Sequence, residues 1–133
     1  MWLGAWLVPA LTFRLPGRSF LTLAAAVAGA AISVLAVLAF RRAGTTVNPM
    51  NPDSSSSLVV SGIYTRSRNP MYLGLLLILL AWGMYLSNAM AFLILPGFMW
   101  YMNRFQIEPE ERVLASRFGE QFDSYASRVP RWL

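Results

Sequence analysis

Ser61-Gly62-Ile63-Tyr64-Thr65-Arg66-Ser67-Arg68-Asn69-Pro70-Met71-Tyr72-Leu73-Gly74 is a polar, arginine-bearing segment that opens onto a long apolar block. No charge follows Arg68 until Arg104, and Glu108, Glu110, Glu111 and Arg112 come directly after it. One unbroken helix over 70–104 would be about 52 Å long. The hydrocarbon core of a bilayer is only about 30 Å thick. The block is therefore read as a helical hairpin, turning at its polar pair Ser87-Asn88. A hairpin returns both polar clusters to one membrane face. Asn69-Pro70 reads as a helix start, because Asn caps free amides and Pro is tolerated at the first helical position. The first hairpin helix is expected from Pro70 to Leu86. The second is expected from Ala89 to Arg104, with a kink at Pro96.

Composition agrees with a membrane setting. The chain has 133 residues, 56% hydrophobic and 13% charged. A soluble domain carries about 25% charged residues. The expected fold class is an all-α integral membrane protein, a single membrane domain over 1–133 with about three to four transmembrane helices. There is no cysteine, hence no disulfide, thiolate site or cysteine nucleophile, and no histidine, the commonest general base and metal ligand. The net charge of +5 comes from eleven arginines with no lysine. They flank apolar segments, which reports orientation in a membrane and argues against nucleic-acid binding.

Working outward, Phe20 to Phe40 carries no charge and has the length of one transmembrane helix. Ala25, Gly29 and Ser33 fall on one face of it, a small-residue seam against which another helix packs closely. Residues 1–13 are apolar but short and read as a shortened or partial first membrane helix. Residues 43–69, with Gly44, Pro49, Pro52, Asp53 and Ser54 to Ser57, read as a cytosolic loop. The tail over 108–127 is amphipathic and reads as one C-terminal interfacial helix, with Val113, Leu114, Phe118, Phe122 and Tyr125 on its apolar face. Arg41, Arg42, Arg66, Arg68, Arg104, Arg112, Arg117, Arg128 and Arg131 share the loop-and-tail face, against Arg14 and Arg18 on the other. That asymmetry makes the loop-and-tail face cytoplasmic.

The two clusters offer arginines, carboxylates, an amide, tyrosines and a helix N-terminus. The spacing from Gly62 to Asn69 is no phosphate loop, lacking its Lys and Ser or Thr. Three glutamates without further oxygen ligands make no hard-cation site, so no metal is expected. The set suits a zwitterionic small molecule. Arginine takes its carboxylate, glutamate its amine or ribose hydroxyls, and tyrosines cover a flat base. S-adenosylmethionine carries all of these groups. Simple pairing of arginines with glutamates at the membrane surface stays open beside that reading.

Gly-x-Tyr, then Arg-Asn-Pro-x-Tyr-x-Gly, a hydrophobic hairpin, Glu-Glu-x-x-Leu-x-x-x-Phe-Gly-x-x-Phe-x-x-Tyr and a Val-Pro-Arg ending resemble the isoprenylcysteine carboxyl methyltransferases and their phospholipid methyltransferase relatives. The resemblance covers residues 41–132. It implies S-adenosylmethionine as methyl donor, held at the cytosolic end of the last two membrane helices under a folded-over tail. It implies cofactor contacts from Leu58, Val59, Tyr64, Arg68, Asn69, Pro70, Met71, Tyr72 and Glu110. Arg104 is the nearest match to the family's substrate-facing arginine, whose place in strict register falls to Gln106. Glu111 is the second expected catalytic residue; an amine acceptor would need a base, and Glu110 or Glu111 would serve. Asn69 stands where the family has histidine. The implied reaction is carboxyl O-methylation of a prenylcysteine-like or other lipophilic substrate, in a bacterial inner membrane. Methylation of a phospholipid amine, an NADPH-dependent reductase relative and a noncatalytic protein retaining the fold are the alternatives.

Overall fold

A computed structural model describes residues 1–44 and 57–133. The central part of the expected 43–69 loop, including Pro49, Pro52, Asp53 and Ser54, lies outside the described residues. Within them the regular elements are helices: α1 (Trp2–Leu7), α2 (Arg18–Arg42), α3 (Pro70–Leu86), α4 (Ala89–Tyr101), α5 (Glu108–Phe118) and α6 (Glu120–Arg128). No strand forms among these residues, only an isolated bridge between Thr12 and Asn88.

The chain is a small helical membrane protein. Among the described residues α2 alone is long and apolar enough to cross a bilayer by itself, and only 17% of its most apolar stretch is buried. A helix serving as a soluble core would hide that surface; here Phe20, Leu23, Val27 and Val34 point outward. α3 is shorter and apolar, and carries no charged residue. It runs antiparallel to α2 along the small-residue seam. A Cβ added to Gly29 would stand 2.7 Å from the Gly74 carbonyl oxygen, and one on Gly74 would collide with Ser33 Oγ. Lipid gives helices little hydrophobic reason to associate, so close backbone approach at glycine and serine supplies the packing.

Residues 1–13 hold only a short helix. α1 has six residues, or about 9 Å at 1.5 Å per residue, too short to span. Pro9 opens a separate one-turn helix over Pro9–Leu11, which prevents α1 from continuing. The segment folds back over the hairpin turn. Asn88 Nδ2 donates to the Val8 carbonyl at 3.0 Å and to Thr12 Oγ1 at 3.2 Å. The Phe13 amide donates to the Ser87 carbonyl at 2.9 Å. Asn88 Oδ1 accepts from the Met90 amide at 3.0 Å and caps α4. Ser87 closes α3 in the left-handed region, φ 49°.

Two departures from expectation concern the tail. α4 does not end at Arg104. It runs through a π-helical segment, Met102–Ile107, directly into α5. The tail 108–127 is two helices rather than one, because Gly119 takes φ 53° between α5 and α6. That conformation suits a residue without Cβ. The break lets α6 turn back, and Phe122, Tyr125 and Val129 join Ala36, Ala39, Val59 and Tyr64 in one buried cluster. The core thus sits at the motif end, shared by α2, the motif and the tail.

Candidate functional site

Gly62, at φ 62°, starts a one-turn helix over Gly62–Thr65. Thr65 Oγ1 closes that turn on the Gly62 carbonyl at 2.8 Å. The turn presents Tyr64 inward, edge-on to Phe40 with ring centroids 5.4 Å apart. The Tyr64 carbonyl accepts from Tyr125 Oη at 2.7 Å, which ties motif to tail. Burial, with Tyr125 and Glu110 nearby, pushes the Tyr64 phenol well above its ordinary range. Burial does the same to Tyr125, opposed by the Arg68 guanidinium. Both phenols stay protonated. Leu58 and Met71 pack against this cluster, Val59 lies within it, and Pro70 is buried at the start of α3.

Three backbone and side-chain bonds then clamp the C-terminus along residues 67–69. The Arg68 amide donates to the Pro130 carbonyl at 2.9 Å. Ser67 Oγ and Asn69 Nδ2 both donate to the Arg131 carbonyl, at 3.2 and 3.1 Å. Asn69 therefore makes no side-chain cap on α3. Its own amide nitrogen donates to Ser67 Oγ at 3.1 Å. In place of the capping role read from Asn69-Pro70, the Asn69 side chain makes a tertiary bond.

Above this clamp lies an arginine–glutamate–arginine arrangement. Glu111 pairs with Arg68 Nη1 at 3.0 Å and with Arg131 Nη2 at 2.7 Å. Arg131 Nε also donates to both Glu111 oxygens, at 3.2 and 3.1 Å. The Glu111 bond raises the Arg131 pKa further. Arg68 Nε is buried without a hydrogen-bond partner. Arg104, more than half exposed, pairs with Glu108 at 3.1 Å. Arg104, Glu108, Glu111, Arg112, Ala115, Phe122 and Arg131 line a groove of about 450 Å³ between α5 and the tail.

A second cluster faces the bundle. Tyr72 Oη donates to Glu110 Oε1 at 2.6 Å, across 38 residues of sequence. Gln106 Nε2 donates to the same oxygen at 2.7 Å. Burial raises the Glu110 pKa above the ordinary glutamate value, the two hydrogen bonds oppose that rise, and Glu111 adds to it. The π-helical segment ends at Ile107, just before these glutamates. Such segments recur at functional sites because the extra residue per turn re-aims side chains.

The helix through 102–118 thus has two working faces. Gln106 and Glu110 point at Tyr72; Arg104, Glu108, Glu111 and Arg112 point into the groove. The two adjacent glutamates are not one acid pair, and Arg104 and Glu111 lie on the groove face, apart from Tyr72. Gln106, Ser67, Tyr125, Phe122 and Arg131 belong to the site and were not singled out from the sequence. Gln106 had a signal, its four-residue spacing to Glu110 and its alignment with the family arginine. The others had none beyond the shared motif pattern.

Residues 18–121 match the family model described as phospholipid methyltransferase. An uncharacterized protein of Haemophilus influenzae is 49% identical over 63 residues, 47% of this chain and 100% of that one. A protein-S-isoprenylcysteine O-methyltransferase of Schizosaccharomyces pombe is 34% identical over 73 residues, 55% of this chain and 31% of that one. A probable protein-S-isoprenylcysteine O-methyltransferase of Oryza sativa subsp. indica is 27% identical over 111 residues, 84% of this chain and 58% of that one. The chain thus spans between about a third and three fifths of those two methyltransferase relatives. No solved structure matches with significance.

Proposed function

Because this chain belongs to the phospholipid methyltransferase family, we propose that it is an integral membrane methyltransferase that uses S-adenosylmethionine to methylate a carboxylate on a prenylcysteine-like or other lipophilic substrate. The observation that carries the reading is the junction of the two motif segments by Tyr72, Glu110 and Gln106, beside a groove walled by Arg131, Glu111 and Phe122. The donor set fits the cofactor. Arg68 has a buried Nε without a partner, suited to a carboxylate. Glu108 and Glu111 suit an amine or ribose hydroxyls, and Phe122 suits a flat base. A groove of about 450 Å³ is in the usual range for a small-molecule site, about 300–1,000 Å³.

When bound, the cofactor supplies an electrophilic methyl group on a sulfonium. The chain's own residues bind, orient and exclude water. A carboxylate acceptor is ionised at neutral pH and needs no base. Alignment and desolvation are then the whole catalytic task, which a site without histidine can perform. One observation favours a second reading. Glu110 is half-buried with a raised pKa, which suits a group that accepts a proton from an ammonium acceptor. Methylation of a lipid amine follows if that is its role. The orientation consistent with either is the motif and tail in the cytoplasm, across the inner membrane of a bacterium.

Calorimetry with S-adenosylhomocysteine tests the cofactor, and tritiated-methyl transfer to lipid extracts tests the acceptor. Micromolar binding with label in a base-labile ester supports carboxyl methylation. Label in a base-stable amine selects the second reading. Silence toward S-adenosylhomocysteine with binding of NADPH overturns both.

A further inference from the structure

The far end of the molecule carries a second arrangement that the methyl-transfer reading does not use. α2 starts at Arg18 where α3 ends, since the two helices run antiparallel. The Arg18 guanidinium lies 5.7 Å from the centroid of the Tyr85 ring. Tyr85 in turn stacks with Trp82, centroids 5.7 Å apart and planes inclined by 29°. Guanidinium, phenol and indole form one continuous tier on the outside of the bundle. Its aromatic members are open: Trp82 is 46% exposed and Tyr85 54%. Arg14, also exposed, comes just before a turn that Arg18 closes by donating its amide to the Leu15 carbonyl at 3.1 Å.

The wall behind this tier is fixed. Asn88 is completely buried and holds Val8 and Thr12, and Phe13 is bonded to Ser87. Phe13 also meets the Phe92 ring at 6.1 Å. The segment carrying Arg14 is thus held against the hairpin turn. Among the described residues neither Arg14 nor Arg18 has an ion-pair partner. Every acidic residue of the chain lies at or beyond Asp53. Among the described residues the acids that form ion pairs are Glu108 and Glu111, at the opposite end. Two guanidiniums stand at the end of apolar helices, on the face that the distribution of arginine otherwise leaves nearly uncharged. In a bilayer the lipid phosphates of that leaflet supply negative charge at their depth.

We infer that Arg14, Arg18, Tyr85 and Trp82 form a binding site for an anionic phospholipid in the leaflet opposite the methyl-transfer motif. The arginines take the phosphate, since a guanidinium fits it with paired hydrogen bonds. The phenol and indole sit at headgroup depth, with an apolar body and a polar tip. The exposed indole face covers the upper acyl chain. A zwitterionic lipid offers the same phosphate beside a cation, which the two guanidiniums repel.

Native mass spectrometry of the detergent-solubilised full chain tests this, titrated with phosphatidylglycerol or phosphatidylcholine. Wild type should retain one phosphatidylglycerol in preference to phosphatidylcholine. Arg14→Gln/Arg18→Gln should weaken that adduct about 25-fold, roughly fivefold per arginine. Arg66→Gln, an exposed arginine at the other end, should leave it unchanged. Arg14→Gln alone, whose side chain is exposed, should still show the fivefold loss if the double variant does not fold. Equal retention in wild type and the arginine variants would overturn the inference. So would equal binding of phosphatidylcholine, or an equal loss in Arg66→Gln. S-adenosylhomocysteine binding should be the same in all variants, which separates failure of this site from failure of the methyltransferase reading.

Discussion

Glu110 is the residue on which the bundle-facing half of the site depends. One of its oxygens accepts from Tyr72 at 2.6 Å and from Gln106 at 2.7 Å. Glu110→Ala leaves a buried phenol and a partly buried amide without that acceptor. Each charge-assisted bond contributes about 1.5–3 kcal/mol. The two share one oxygen, and water reaches part of the site, so the net loss expected is about 2–3 kcal/mol. For a chain of this size each kcal/mol moves the melting temperature by about 3–5 °C, giving a drop of about 6–15 °C. Glu110→Gln behaves differently. It keeps an acceptor and removes a half-buried charge, so it should stay within about 1 kcal/mol of wild type at neutral pH.

The pH dependence separates these effects, and its sign is fixed by burial. Glu110 is harder to ionise folded than unfolded. Between the ordinary glutamate value and its raised value, the folded state holds the extra proton. This group's contribution to stability therefore falls as pH rises through that window. Glu110→Gln removes the contribution, so the difference between variant and wild type should move in the variant's favour as pH rises. Tryptophan-fluorescence melting in detergent from pH 4 to 8 measures it. A difference that is flat in pH, or that moves in wild type's favour, would refute the burial argument. A Glu110→Ala variant as stable as wild type would refute the hydrogen-bond argument independently.

Three other outcomes follow from the same geometry. Asn69→Asp replaces the amide donor to the Arg131 carbonyl with an acceptor. It should loosen the C-terminus by about 1–2 kcal/mol and speed tryptic cleavage after Arg128, whereas a capping residue would tolerate the change. Gly74→Ala should destabilise by at least about 1–3 kcal/mol, because the new methyl meets Ser33 and the Gly29 backbone. Gly97→Ala, with open space around it, should be neutral or stabilise by about 0.5–1 kcal/mol in thermal melts. With no native cysteine, Arg14→Cys should react with an impermeant maleimide from outside intact cells and Ser61→Cys should not; the reverse pattern would invert the proposed orientation.

The hairpin was legible because a charge-free block too long for one crossing contains one polar pair. The seam of Gly29 and Ser33 was legible because four-residue spacing fixes a helix face, though its partner at Gly74 was not. The shortness of α1 was legible, but its docking on the hairpin turn was not, because Asn88 reaches Val8 and Thr12, bonds between residues far apart that leave no local periodicity. Gly119 was a visible sign of the tail break, but an apolar stripe continues across it and hid the change of direction. In the site, Tyr72 and Glu110 were reached through motif resemblance, and Asn69 through its place before Pro70. Its actual partner is a carbonyl 62 residues away. Glu110 and Glu111 make the general point. Neighbours on a helix point about 100° apart, so adjacency in sequence argues against a shared role. Which of them faces Tyr72 depends on how the helix is rotated, and the π-helical segment at 102–107 enters that rotation before either glutamate is reached. A period of 3.6 carried from Ala89 therefore points the later side chains wrongly. That Gln106 and Tyr72 share Glu110 while Arg104 faces the groove fits a helix that changes its pitch just before the residues that carry the chemistry.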